Sequence, residues 1–144
     1  MQRTFLAFIV AGLAFSLIGC GEKNPGTVPV SITITQKGTP LAEVAVTIIS
    51  SDGKGNTAGG QTNSSGVAVL ETPPKWRGAF PGEYAVAVKK WELYEFPDPI
   101  PGDPDKMGRS RRNILPGKYG DYATSDFTLT VGSKGAKVTL DIAE

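Results

Sequence analysis

Short runs in which β-branched or aliphatic residues alternate with small polar ones, separated by glycine, proline and asparagine turns, constrain this chain most. Val30, Ile32 and Ile34 alternate with Ser31, Thr33 and Thr35, the period-two pattern of a strand with one buried face. Gly38 in the following Gln36–Pro40 turn is free to take a positive φ. Val44-Ala45-Val46-Thr47-Ile48-Ile49 is apolar on nearly both faces, which predicts a central strand. A weak strand follows through Gly60-Gln61-Thr62, and Asn63-Ser64-Ser65-Gly66 reads as a turn into Val67-Ala68-Val69-Leu70. Pro73-Pro74 ends that strand, because neither residue can donate to a ladder. Glu83–Lys89 places Tyr84, Val86 and Val88 on one face, and Phe127–Val131, a glycine turn and Val138–Ile142 close the pattern. No helical period occurs beyond the N-terminal run. The prediction is all-β: an antiparallel seven-stranded β-sandwich over residues 28–144. Its expected core is Val30, Ile32, Ile34, Val44, Val46, Ile48, Val67, Val69, Tyr84, Val86, Val88, Phe127, Leu129, Val131, Val138, Leu140 and Ile142. Residues 92–118 are proline-rich, with Pro97, Pro99, Pro101, Pro104 and Pro116, and have no clean period. They are expected to form a long loop excursion of the same domain.

The N-terminal run has a different logic. Met1-Gln2-Arg3 brings one positive charge, and Phe5–Leu17 is apolar except at Gly12 and Ser16. A run of about 13 residues falls short of the roughly 20 that span a bilayer and matches the apolar region of a signal peptide. It ends in Leu17-Ile18-Gly19-Cys20, and Cys20 is the sole cysteine. Gly19 lets a peptidase approach the backbone, while the Cys20 thiol can accept a diacylglycerol. The expected division is a lipoprotein signal peptide at 1–19, an acylated N-terminus and tether at 20–27, then the sandwich. Membrane lipid, reached through acylated Cys20, is the first expected partner, and acyl chains anchor by about 0.8 kcal/mol per buried CH₂. Gly21, rather than Asp, follows the cysteine, so the familiar inner-membrane retention signal is absent. The expected location is the cell envelope, with the outer membrane or periplasmic face favoured over the cytoplasmic side.

Loss of the leader leaves about 125 residues, enough for one domain and no more. The whole chain has a net charge of +1, and without Arg3 its basic and acidic residues balance. No overall field draws nucleic acid, and none is expected as a partner. The sequence contains no histidine, so the commonest general base and neutral metal ligand are both missing.

Three separated segments resemble carboxypeptidase regulatory-like domains. Gly38-Thr39-Pro40-Leu41-Ala42-Glu43-Val44-Ala45-Val46 is similar to their G-x-P-L-x-x-V-x-V step between the first two strands. Thr62-Asn63-Ser64-Ser65-Gly66-Val67-Ala68 is similar to their T-D-x-x-G turn, and Phe80-Pro81-Gly82-Glu83-Tyr84-Ala85-Val86 to their P-P-G-x-Y-x-V strand entry. A fourth segment, Leu115–Phe127, resembles the [IL]-P-x-K-Y-x-D-x-x-T-S-x-[LF] signature of small bacterial lipoproteins with this domain. Asn63 stands where the family has Asp, and Ser31 where a strand glycine is frequent. The resemblance implies a transthyretin-like (prealbumin-like) sandwich with no catalytic function of its own. A hydroxyisourate hydrolase shares that fold, but it relies on histidines this chain lacks.

Other chemistries find little support. Ser64, Ser65, Ser110 and Ser125 lack a histidine base and read as turn and capping hydroxyls. Asp98, Asp103 and Asp105, or Asp52 with Asn56, do not have the spacing of a calcium loop, so no metal or other cofactor is expected. An isopeptide cross-link would want a lysine in the first strand and an asparagine in the last, where Asp141 stands instead. The aromatics Trp76, Trp91, Tyr94, Phe96, Tyr119 and Tyr122 lie in or beside the long loops. Of these Trp76, Trp91, Tyr94, Tyr119 and Tyr122 are the candidates for binding a glycan or an envelope protein. The plainer expectation is that Trp91 and Tyr119 fold the excursion back over the sandwich and are buried there. Lys106, Arg109, Arg111 and Arg112 form a small basic patch, expected to be a solvated loop face. The function expected from all this is a non-enzymatic, lipid-anchored binding or structural module of the cell envelope, with a carbohydrate-binding accessory protein as the alternative.

Overall fold

The computed structural model describes residues 23–100 and 103–143. The predicted signal peptide and the Gly19-Cys20 cleavage site lie outside these residues. So do the side chains of residues 96–110, among them Phe96, Asp98, Asp103, Asp105, Lys106, Arg109 and Ser110.

The described chain is all-β. Its strands are β1 (Val30–Gln36), β2 (Thr39–Pro40), β3 (Val44–Ser50), β4 (Thr57–Gln61), β5 (Val67–Val69), β6 (Glu71–Thr72), β7 (Trp76–Arg77), β8 (Gly82–Ile100), β9 (Asp103–Asn113), β10 (Thr128–Val131) and β11 (Ala136–Ile142). A single 3-10 turn, Gly117–Gly120, precedes β10. The smaller sheet has β1 at its centre, flanked by β11 on one side and by β2 and β5 on the other. The larger runs β10-β8-β3-β4-β6-β7, with β9 paired to the outer part of β8. The two sheets enclose one core in a sandwich-like arrangement, filled by Ile32, Ile34, Val44, Val46, Ile48, Tyr84, Val86, Val88 and Ile142 among others. Burying a side chain of this size stabilises the fold by about 1.5–3 kcal/mol.

The seven expected strands are all present, but the sheets are not purely antiparallel. β1 and β11 pair in parallel, Val30 against Ala136 through Gln36 against Ile142. A parallel pair needs a long crossover, and here almost the whole domain lies between the two strands. Four further strands, the short β2, β6 and β7 and the long β9, were not expected from the pattern.

Two other expectations need correction. Val67 and Val69 are not core residues: Ile32 pairs with Ala68, so Ala68 is buried and Val69 is 47% exposed. The period of a strand is two, so the turn before β5 decides which set points inward. The Asn63 Oδ1 atom accepts the amides of Ser65 (2.9 Å) and Val67 (3.1 Å), the same acceptor role an aspartate would play. Second, residues 92–118 are not a loop excursion throughout, because β8 continues past the sheet and pairs with β9 as a long hairpin. Its prolines are tolerated because pairing is continuous from Trp91 to Glu95 and then shifts register on either side of Pro99, where ladder donors are not required.

The chain changes sheets at Leu70, between β5 and β6. The Leu70 side chain is fully buried, its amide donates to Val30 (3.0 Å) and its carbonyl accepts from Gly78 (2.6 Å). Nearby, the buried Thr62 hydroxyl donates to the Leu41 carbonyl (2.7 Å) and accepts the Val44 amide (2.9 Å). Tyr84 sits in the core with its hydroxyl donating to the Phe80 carbonyl (2.8 Å). Burial pushes its phenol above the ordinary range, and the charge on Asp52 adds to that.

Candidate functional site

The hairpin made by β8 and β9 is fastened to the sandwich by one asparagine. Asn113 Oδ1 accepts the amides of Lys90 (3.0 Å) and Leu115 (3.2 Å), and the Ile114 amide donates to the Lys90 carbonyl (2.9 Å). Beyond this clasp β8 leaves the support of β3, and the side chains of residues 91–95 alternate between two faces.

Trp91 and Leu93 share one face and are 49% and 57% exposed. With Arg111 from β9, Ala45 and Gln61 from the sheet and Glu43 from the bend before β3 they line a cleft of about 370 Å³. Lys89 Nζ lies 5.9 Å from the Trp91 ring centroid, at the outer limit of a cation–π contact. A second, smaller pocket of about 70 Å³ continues along the same sheet face between Lys89, Ala87 and Tyr122. Glu43, at the rim, adopts φ +60°, a left-handed conformation that costs a non-glycine residue about 1–2 kcal/mol. Its amide is held by the Thr62 carbonyl at 2.9 Å.

The opposite face carries Glu92, Tyr94 and Arg112. Arg112 pairs with Glu92 (2.9 Å) and its guanidinium carbon lies 5.2 Å from the Tyr94 ring centroid. This exposed pair is worth little in stability.

The expected aromatic set is therefore divided. Trp91 is not buried, contrary to the plainer expectation, because β8 carries it out along the hairpin rather than back over the core. Tyr119 is buried, at 3% exposure, and is unavailable to a ligand. It stacks on Phe127 (ring centroids 4.7 Å apart, planes 14° apart), and its hydroxyl accepts the Ala143 amide (3.2 Å). Tyr122 is half-buried on the same sheet face as Trp91, whereas Tyr94 is on the other side of the hairpin. Trp76 is half-buried on β7, separated from β8 by β3, β4 and β6. Trp91 with Leu93 is the exposed apolar centre that remains.

The segment 115–127 proves to be a structural plug. The Tyr119 amide donates to Pro116 (3.1 Å), the Thr124 hydroxyl to the Lys118 carbonyl (2.7 Å), and the Ala123 amide to Asp121 Oδ1 (2.8 Å). Ser125 Oγ accepts the Phe127 amide (3.2 Å), and Lys118 pairs with Asp126 at 3.3 Å. Hydrogen bonding to the Tyr119 side chain, then to Asp126, holds the Lys118 ammonium above its ordinary range.

The loop carboxylate considered for a metal is engaged by its own loop. Asp52 accepts the Ser50 hydroxyl (2.7 Å) and the Lys54 amide (3.0 Å), which lower its pKa, the Lys54 amide most. Among the described residues no three acidic or cysteine side chains cluster as metal ligands, and no described helix is long and apolar enough to cross a membrane.

Asp141, on the last strand, makes a cross-strand contact instead of a cross-link. It accepts the Thr35 hydroxyl (2.6 Å) and the Gly38 amide (3.1 Å). These bonds, the Thr35 hydroxyl first, hold its carboxyl below the ordinary 3.8. The bonds are lost on unfolding, so their contribution is fully present above that ordinary value. It declines as pH falls through the lower folded value. Asp141→Asn is expected to flatten the acid side of the stability–pH curve below about pH 4. Urea midpoints measured across that range for both proteins check this, and parallel curves would remove Asp141 from the account.

The chain matches no family model, no curated protein and no solved structure. A functional reading therefore rests on the chemistry of these surfaces and on the N-terminal sequence.

Proposed function

We propose that this chain is an exported lipoprotein, acylated at Cys20, whose sandwich is of the transthyretin-like, carboxypeptidase regulatory-like kind. It acts as a non-enzymatic binding module of the cell envelope. The observation that carries the binding role is the open exposure of Trp91 and Leu93 on a hairpin that projects beyond the sheet. Large apolar side chains presented at a surface next to a cleft are the kind of anchor from which interfaces draw most of their affinity. The leader and lipobox sequence supports export and tethering. The motif resemblances, together with two sheets over one core, support the fold assignment.

A partner protein of the envelope suits this face best, since Trp91 and Leu93 offer an apolar knob ringed by Glu43, Gln61 and Arg111. The same ring favours one second reading. An indole wall beside a carboxylate, an amide and a guanidinium is also the composition with which proteins hold sugar rings.

Trp91→Ala is expected to weaken binding to solubilised envelope fractions at least about tenfold, the loss of one anchor. Its melting temperature is expected to stay within a degree or two of wild type, because the side chain leaves the core untouched. A glycan array signal abolished by the same substitution selects the sugar reading. Undiminished binding to both would reject the hairpin face.

A further inference from the structure

A larger cleft lies between the smaller sheet and β7 of the larger one, where the chain enters the fold. It has a volume of about 640 Å³ and is lined by Ser31, Val69, Arg77, Lys134 and Lys137 together with the backbone around Pro29. Three cations approach it from three separate elements: Arg77 from β7, Lys134 from the turn before β11, and Lys137 from β11. Among the described residues no carboxylate lines it, and none of the three cations has an ion-pair partner. Glu71 is the register partner of Arg77 but lies outside the cleft lining. Ser31 and Lys137 are direct neighbours across the parallel pair, and Ser31 and Val69 across the antiparallel one. A hydroxyl, a cation and an apolar side chain therefore form one row across the sheet.

In a chain whose net charge is only +1, a recess with three like charges focuses a local positive potential. The segments that carry Arg77 and Lys134 are tied to the entering chain. Val28 and Ala79 exchange two backbone hydrogen bonds (2.9 and 3.0 Å), and the Ala136 amide donates to the Pro29 carbonyl (3.0 Å). A Cβ added at Gly78 or Gly135 would meet the carbonyl of Val28 or Pro29. We propose that this cleft binds a phosphate-bearing ligand, with Arg77 supplying planar bidentate donors, Lys134 and Lys137 supplying charge, and Ser31 a hydroxyl donor. Val69 receives the apolar remainder of the ligand. Two sources share this chemistry, a soluble phosphoester and an anionic lipid headgroup. Only the second rests on the tethered reading, in which residues 20–27 bring this end of the fold to a membrane.

The test uses the full chain in neutral detergent micelles, following the amide resonances of Gly78, Gly135 and Lys137 by NMR. Inorganic phosphate and glycerol 3-phosphate are titrated in one arm, and phosphatidylglycerol is mixed into the micelles in the other. Saturable shifts are expected, weakened about tenfold by Arg77→Glu or Lys134→Glu as one charge-assisted contact is lost. A response to the soluble probes identifies a phosphoester site, and a response to phosphatidylglycerol alone identifies a headgroup site. No saturable shift in either arm, or shifts unchanged in the variants, would overturn the proposal. Neither result depends on whether Cys20 is acylated, which the mass of the mature chain reads separately.

Discussion

Replacing Tyr119 by alanine is expected to destabilise the protein by about 3–5 kcal/mol, the range for truncating a large buried aromatic. The ring is enclosed, stacked on Phe127, and tied through its hydroxyl to the backbone of Ala143. Its removal leaves a cavity that the flanking turn cannot fill, because that turn is fixed by Pro116, Asp121 and Thr124. Thermal denaturation should show a fall of about 10 °C or more for a domain of this size. Tyr119→Phe keeps the packing and loses one hydrogen bond, so its cost should be near 1 kcal/mol. Equal losses for the two variants would mean that the hydroxyl, not the ring, holds the plug in place.

Gly78→Ala is expected to cost about 2–4 kcal/mol, combining overpacking with a left-handed backbone. Gly78 has φ +90°, and an added Cβ would meet the carbonyl of Val28. The obstacle is backbone, and it is pinned: Val28 and Ala79 exchange two hydrogen bonds of 2.9 and 3.0 Å. Gly38 provides the control, since its φ of +78° is similar but a Cβ there meets nothing within 4 Å. Gly38→Ala should therefore lose only the conformational part, about 1 kcal/mol. Urea unfolding with unchanged slope and separated midpoints checks the pair. Coincident midpoints would show that the Val28 segment yields, and with it the floor of the basic cleft.

The strands that bury one face were legible in the sequence because alternation records the face directly. β1 and the first half of β8 are of this kind, and so is the burial of Tyr84, while β3 was legible as a central strand because it is apolar on nearly both faces. The phase of β5 was not legible. Val67 and Val69 look like core residues, and only the turn geometry set by Asn63 and Gly66 turns Ala68 inward. The parallel partnership of β1 and β11 left no mark, since residues about a hundred positions apart choose each other through the whole fold. The β8–β9 hairpin was hidden by its prolines, which local reading takes as breaks but which fall where the ladder shifts register. At the candidate site, Trp91 was visible as a residue type but not as an exposed one. Its surroundings come from β3 (Ala45), the end of β4 (Gln61) and the bend before β3 (Glu43). These elements were expected, but their convergence beside Trp91 depends on sheet order, and the basic cleft gathers cations that are scattered in the sequence.

The central claim is that the sandwich is held at a membrane through Cys20. The most direct test is intact-mass and N-terminal peptide mass spectrometry of the protein recovered from the membrane fraction of cells expressing the full chain. The account requires a mature chain that begins at Cys20 and carries the added mass of a diacylglycerol, with Cys20→Ser left uncleaved and unmodified. A mature chain that begins elsewhere, or a Cys20 found as the free thiol, would contradict it.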